Sequence, residues 1–253
     1  MHKKPEKHMH KLGLLGKNIS YSFSRNYFKL KFEKEGISDV IYDNFDIEDI
    51  SVFPSIIKNT NGLKGLNVTI PYKQAVMPFL DKIDKKAKAI GAVNTIKIKK
   101  NGKLVGYNTD CYGFKKSIKH LLKPHHRKAL ILGTGGASKA IAYVLNELKI
   151  EYNFVSRTTS KDVHLTYDNL NETIIKEFDI IINCTPLGTF PNVENCPNIP
   201  YEGITEKHIM YDLIYNPLET KFLKLGKEHN AITINGLKML ELQAEKSWSI
   251  WNL

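Results

Sequence analysis

The sequence predicts an α/β protein of two domains, and three observations carry that prediction. Apolar runs of strand length alternate with amphipathic helical patterns along the chain. A polar connection with a proline, His120-Leu-Leu-Lys-Pro-His-His-Arg-Lys128, interrupts the alternation. A glycine turn between a strand pattern and a helix pattern opens the second half. Strands alternating with helices imply a parallel sheet covered on both faces. A chain of 253 residues is long enough for one large core or two modest ones.

In chain order, Leu12–Leu15 reads as a strand. Ser24–Glu35 reads as an amphipathic helix with Tyr27, Phe28, Leu30 and Phe32 on its apolar face, ended by Gly36. Val40–Phe45 and Gly65–Thr69 are the next strands. Thr95–Lys99 and Leu104–Tyr107 flank Lys100-Asn101-Gly102-Lys103, and Asn-Gly between apolar runs signals a hairpin. After the polar connection come a strand at Ala129–Leu132, a helix from Ala137 to Lys149 and a strand at Tyr152–Val155. Phe178–Cys184, Ile209–Leu213 and Ala231–Ile234 read as buried strands, and Leu237–Trp251 as a closing helix apolar on one side.

Composition narrows the function classes. No apolar run approaches the roughly 20 residues of a membrane span. The N-terminus, MHKKPEKHMH, has neither the apolar core nor the small-residue cleavage site of a secretory signal and reads as a solvated tail. Cys111, Cys184 and Cys196 are too few and too scattered for a disulfide framework or a zinc site, which points to a reducing cytoplasm and to no metal. The net charge of +11 is spread over the whole chain without a nucleic-acid-binding module. It suits a field that attracts small anionic substrates.

Leu132-Gly133-Thr134-Gly135-Gly136-Ala137-Ser138-Lys139-Ala140 is the glycine turn. Gly133 and Gly135, with the small residues Gly136 and Ala137 behind them, let a backbone approach a pyrophosphate at a helix N-terminus, as in a Rossmann-type domain. The next strand ends in Ser156-Arg157-Thr158, with Lys161 close behind. An acidic residue at this tip grips a ribose 2′-hydroxyl. An arginine there suits a 2′-phosphate, hence NADP. A plain tight turn and a surface arginine are the alternatives that motif spacing alone leaves open.

Five further segments resemble the shikimate dehydrogenase family, in order and over nearly the whole chain. They are Ile19-Ser-Tyr-Ser-Phe-Ser24, Asn67-Val-Thr-Ile-Pro-Tyr-Lys73, Gly91-Ala-Val-Asn-Thr95, Tyr107-Asn-Thr-Asp110 and Gly236-Leu-Lys-Met-Leu-Glu-Leu-Gln-Ala244. Asn183-Cys-Thr-Pro-Leu-Gly188 and Tyr211-Asp-Leu-Ile-Tyr-Asn-Pro217 lie between the last two. The resemblance implies a substrate-binding domain over residues 1–110, completed by the helix 237–253, and an NADP-binding Rossmann-type domain over 111–236, with the active site in the cleft between them. It implies reduction of the 3-dehydroshikimate ketone to the alcohol of shikimate. Small-molecule partners follow, without nucleic acid or membrane, in a monomer or homodimer.

Carried over by position, Lys73 and Asp110 match the family's catalytic pair. Ser22 and Ser24 match the serines that bond the substrate carboxylate. Two hydroxyls on alternate loop positions can point the same way. Thr69, Asn94 and Gln243 match substrate contacts, Asn67 lies in the same motif, and Tyr215 matches a tyrosine lining the cleft. Thr185 and Gly236 join Gly133, Gly135, Gly136, Ala137, Ser156, Arg157, Thr158 and Lys161 as implied cofactor residues. Three positions depart from the pattern. Tyr21 and Phe23 stand where histidine and leucine are usual, and Thr189 stands where a methionine is typical. Without the resemblance, Lys73 reads as a surface lysine, Asp110 as an N-cap for a helix starting near Tyr112, and Asn94 as a backbone satisfier. Rival functions are a quinate/shikimate dehydrogenase using NAD, a folate-linked methylene dehydrogenase, and a non-catalytic NADP-binding sensor.

Overall fold

A computed structural model describes residues 9–20, 22–160, 163 and 165–251. Tyr21 and Lys161 lie outside the described residues. The chain divides into two compact units, Met1–Thr109 with Ala244–Leu253, and Asp110–Gln243.

The first unit contains β1 (His10–Gly16), α1 (Phe23–Glu35), β2 (Val40–Asp46), α2 (Phe53–Asn59), β3 (Leu63–Val68), α3 (Tyr72–Ala75), β4 (Lys82–Ile83), α4 (Lys85–Ile90), β5 (Thr95–Ile98) and β6 (Leu104–Tyr107). The strands form one sheet in the order β2-β1-β3-β5-β6-β4. β1 runs parallel to β2 and β3. The Asn-Gly hairpin makes the sheet mixed: β5 and β6 pair antiparallel, with Ile98 opposite Leu104, and β5 is also antiparallel to β3. Helix α1 begins at an N-cap, Ser22, and ends at Gly36 in the left-handed region. Its buried face is Phe28 and Phe32, four residues apart, while Leu30 is exposed. At about 100° per residue, position 30 falls on the far side of that stripe. Residues 244–251 close this unit: the Trp251 ring packs on Phe28 and its Nε1 donates to the Ile96 carbonyl at 2.9 Å.

The second unit contains α5 (Asp110–Ile118), β7 (Lys128–Leu132), α6 (Gly136–Glu147), β8 (Glu151–Ser156), β9 (Leu165–Thr166), α7 (Glu172–Lys176), β10 (Ile180–Asn183), β11 (Ile209–Asp212), α8 (Lys221–Glu228), β12 (Ile232–Ile234) and the start of α9 (Leu237–Trp251). Every strand pair in its sheet is parallel, in the order β12-β11-β10-β7-β8-β9. Counted from β7, that is the doubly wound order three-two-one-four-five-six, with the reversal between β7 and β10. The apolar core lies on Leu130, Leu132, Ile181 and Met210 of the strands and on Phe222 and Ile175 of the helices.

The sequence assigns all of α9 to the first unit. The structure divides the helix at Gln243, because its first turns pack on α5. A side chain at Gly113 of α5 would meet the Met239 carbonyl at 2.4 Å, so the two backbones approach closely only without one.

Candidate active site

Chemistry-bearing side chains of the first unit gather where β1 and β3 end and β5 begins. Ser22 has extended backbone angles, and its Oγ accepts from the Ser24 N–H at 3.2 Å. The pair therefore does not sit on alternate positions of a loop. Ser22 caps the helix and Ser24 lies in its first turn, because the cap bond bends the chain between them. The cap uses an Oγ lone pair and leaves the Ser22 proton available at the positive end of α1. Ser24 is buried, and its hydroxyl hydrogen-bonds the Tyr42 phenol. Burial pushes that phenol's pKa well above its usual value, so Tyr42 stays a neutral donor.

Tyr42 donates to Asn67 Oδ1 at 2.9 Å. Asn67 Nδ2 shares its two N–H groups among Ser247 Oγ at 2.9 Å, Thr95 Oγ1 at 3.1 Å and the Asn94 carbonyl at 3.2 Å. The hydroxyls of Thr95, Thr109 and Ser247 form a triangle with sides of 2.8, 3.1 and 3.3 Å. Asn94 completes the network. Its Oδ1 accepts from the Thr109 N–H at 2.7 Å, and its Nδ2 donates to Thr109 Oγ1 at 3.0 Å. The N–H bond from Thr109 fixes the amide orientation.

Backbone bonds bring the remaining residues of this unit alongside. The Thr69 N–H donates to Leu15 O at 2.9 Å, the Asn94 carbonyl accepts from Val68 N at 2.8 Å, and the Lys73 carbonyl accepts from Val93 N at 2.7 Å. Lys73 is half-buried in α3. Thus Ser24, Asn67 and Asn94 are joined by side chains, and Thr69 and Lys73 by main chain. Asn67 is enclosed in the network rather than presented at a surface. Tyr42, Thr95, Thr109 and Ser247 are not assigned by the sequence. Ser247 had a signal, since it stands four residues after Gln243 on the same helix face.

Within the second unit, Asp110 is buried and is the first residue of α5, not a cap before Tyr112. The helix starts two residues earlier than the sequence implies, directly after the Asn94-bound Thr109. Gln243 is buried on α9, its Nε2 donating to Leu240 O at 3.0 Å, and Tyr215 is half-buried after β11.

The glycine turn has the geometry of a phosphate cradle. Gly133 sits at φ +103°, a region L side chains rarely adopt, and its N–H donates to Val155 O at 2.9 Å. Gly135 is the N-cap of α6. No described side chain caps this helix, and nothing lies within 4 Å of where a Gly135 Cβ would stand. The first N–H groups of α6, on Gly136 and Ala137, thus have no side-chain cap at the positive helix end, where phosphate oxygens are favoured. Ser156 ends β8, and Arg157 and Thr158 are exposed beyond it.

Asn183 and Asp212 end β10 and β11. Asn183 Oδ1 accepts from Thr185 N at 3.0 Å and Thr185 Oγ1 at 2.6 Å. Burial pushes the Asp212 carboxyl up to about 6, against the opposing pull of hydrogen bonds from Thr220, Ile214 N–H and Asn183. Gly236 is buried, its N–H donating to Ile214 O at 2.8 Å. Among the described residues, no group of three or more His, Cys, Asp or Glu side chains is arranged to hold a metal ion.

Residues 14–96 match the family described as the shikimate dehydrogenase substrate binding domain. The shikimate dehydrogenase (NADP(+)) of Methanococcus maripaludis is 39% identical over 259 residues, covering 95% of this chain and 90% of its own. A crystal structure of shikimate dehydrogenase 1 from Peptoclostridium difficile superposes with a TM-score of 0.83 at 41% identity, covering 96% of this chain and 92% of that one. A structure of the Thermus thermophilus enzyme in complex with NADP(H) and shikimate has a TM-score of 0.84 at 29% identity, covering 96% and 93%.

Proposed function

The chain belongs to the shikimate dehydrogenase family, and on that premise we propose that it catalyses the reversible NADP-dependent reduction of 3-dehydroshikimate to shikimate, an oxidoreductase step of aromatic amino-acid biosynthesis. The observation that carries this reading is the 39% identity to an NADP(+)-dependent shikimate dehydrogenase over 95% of the chain. The first unit takes the substrate and the second the cofactor. The turn at Gly133–Ala137 fits the dinucleotide: it is an uncapped helix N-terminus beside open space. Arg157 and Thr158 hold the 2′-phosphate, Ser156 borders the ribose, and Thr185 and Gly236 shape the wall facing the turn.

Bound NADPH supplies the two-electron reducing equivalent. The protein binds the ring and handles the proton. Ser22 donates to the substrate carboxylate from the cap of α1, with Ser24 next to it. Thr69, Asn94, Tyr215 and Gln243 engage the ring hydroxyls, and Asn67 holds Asn94 and Tyr42 in register from inside the network. Lys73 donates a proton to the oxygen that becomes the hydroxyl and accepts it back in the reverse direction, with Asp110 as the other member of the catalytic pair. Among the described residues no helix is long and apolar enough to cross a membrane. Three free cysteines support a cytoplasmic place of action. The test is NADP⁺ reduction by shikimate, followed as NADPH absorbance. A purified, folded chain that reduces neither NADP⁺ nor NAD⁺ with shikimate sinks the proposal, and turnover with NAD⁺ alone sinks the cofactor part.

A further inference from the structure

Asp212 and Asn183 are both fully buried, so neither offers an atom to a ligand, yet their bonds run to the loops that carry the proposed cofactor residues. They pair across the β10–β11 ladder at its last register position, and Asn183 pairs on its other side with Leu132, the residue before Gly133. Asp212 Oδ1 accepts from Asn183 Nδ2 at 3.1 Å and from the Ile214 N–H at 3.0 Å; Oδ2 accepts from Thr220 Oγ1 at 2.6 Å. Asn183 then holds both the N–H and the hydroxyl of Thr185. Thr185 Cγ2 lies 3.2 Å from where a Gly133 Cβ would stand, so its placement sets the width of the glycine turn. On the other side, Ile214 passes its carbonyl to Gly236 N–H and precedes Tyr215.

A buried carboxylate is a costly way to hold a fold together, since well-packed apolar residues often serve as well. Its three acceptor bonds do something an apolar side chain cannot: they set the direction of the loops after β10 and β11, the first of which borders the point where the strand order reverses.

We propose that Asp212 is the positioning residue of the cofactor site, orienting Thr185 through Asn183 and the Tyr215 and Gly236 segments through Ile214. The inference rests on the cofactor reading above. It places the effect at the loops after β10 and β11, away from the 2′-phosphate held at the tip of β8.

The test is direct NADPH and NADH binding, read by the change in nicotinamide fluorescence, with far-UV circular dichroism and a thermal melt on each variant. Asp212→Ala is expected to raise the dissociation constants of NADPH and NADH by the same factor, roughly tenfold, the equivalent of one hydrogen bond. Asp212→Asn restores binding: its oxygen accepts from Asn183 and Ile214, and its amide donates to Thr220 Oγ1. Asn183→Ala, which frees Thr185 while leaving Asp212 its bonds to Ile214 and Thr220, repeats the loss and serves if Asp212→Ala does not fold. In Asn183→Ala the kept bond from Ile214 to Asp212 leaves the Tyr215 segment in place, so the KM for shikimate at saturating NADP⁺ stays within about twofold. A folded Asp212→Ala or Asn183→Ala protein with wild-type affinity for both dinucleotides overturns the positioning role. So does a loss confined to NADPH, which places the effect at Arg157. A wild-type chain that binds neither dinucleotide overturns the cofactor reading and this role with it.

Discussion

Replacing Ser22 by aspartate separates two jobs that one hydroxyl performs. Its oxygen caps α1 by accepting from Ser24 N, and its proton is proposed to reach the substrate carboxylate. Aspartate caps as well as serine and gains from the helix dipole, whereas alanine loses the cap, about 1 kcal/mol. Ser22→Ala should therefore melt about 2–4 °C below wild type and Ser22→Asp at or above it. Substrate binding runs the other way. Alanine removes one hydrogen bond to a charged group, roughly tenfold in KM at this half-exposed position. Aspartate adds a carboxylate about 4 Å from the substrate's own; at the effective dielectric near a protein surface that repulsion is about 4 kcal/mol, on the order of a thousandfold. The assay is a thermal melt beside shikimate KM at saturating NADP⁺ for the three proteins. A Ser22→Asp protein that matches Ser22→Ala in KM refutes the reasoning and moves the carboxylate elsewhere.

Lys73→Ala should lose kcat by about 10²–10⁴-fold with a smaller change in shikimate KM; retention of more than about a tenth of kcat contradicts proton transfer by this residue. Arg157→Ala should cut kcat/KM for NADPH about tenfold, the lower end for an exposed charge-assisted contact, and leave NADH kinetics nearly unchanged; equal losses with both cofactors would place Arg157 outside the 2′-phosphate site. Asp212 makes stability depend on pH. Its folded pKa, raised to about 6 from the ordinary aspartate value of about 4, means the native state binds more protons in that window, so this group's stabilisation is complete below the lower value and is lost as pH rises through the higher one. Urea unfolding of wild type against Asp212→Asn from acid to neutral pH should show a difference of about 3 kcal/mol in slope-derived stability, larger at neutral pH in favour of Asn; parallel curves would mean the carboxyl titrates in the ordinary range.

Much of the fold was legible because the pattern was local and long enough to repeat. Val40–Phe45, Leu104–Tyr107 and Ile209–Leu213 match β2, β6 and β11 to within a residue or two, since each is an apolar run bounded by turn residues. Helices α2, α4, α7 and α8, five to eight residues each, are not marked by the sequence; so few turns carry too little periodicity to stand out. Among the proposed cofactor residues, Gly133, Gly135 and Arg157 could be picked out by order along the chain, because a strand, a turn and a helix N-terminus are consecutive.

By itself the sequence determined the α/β class, the glycine turn, the arginine at the second strand tip and the family motifs. All of these are spelled within one element or one turn. Tertiary structure alone decided which of those residues are enclosed and what holds them. Asn67 meets Tyr42 from 25 residues away and Ser247 from 180, and Asp212 meets Asn183 from 29. A hydrogen bond is specified by where two side chains end up in space. Burial then determines its strength, by removing the water that would compete for it, so no pattern along one strand or one helix encodes it.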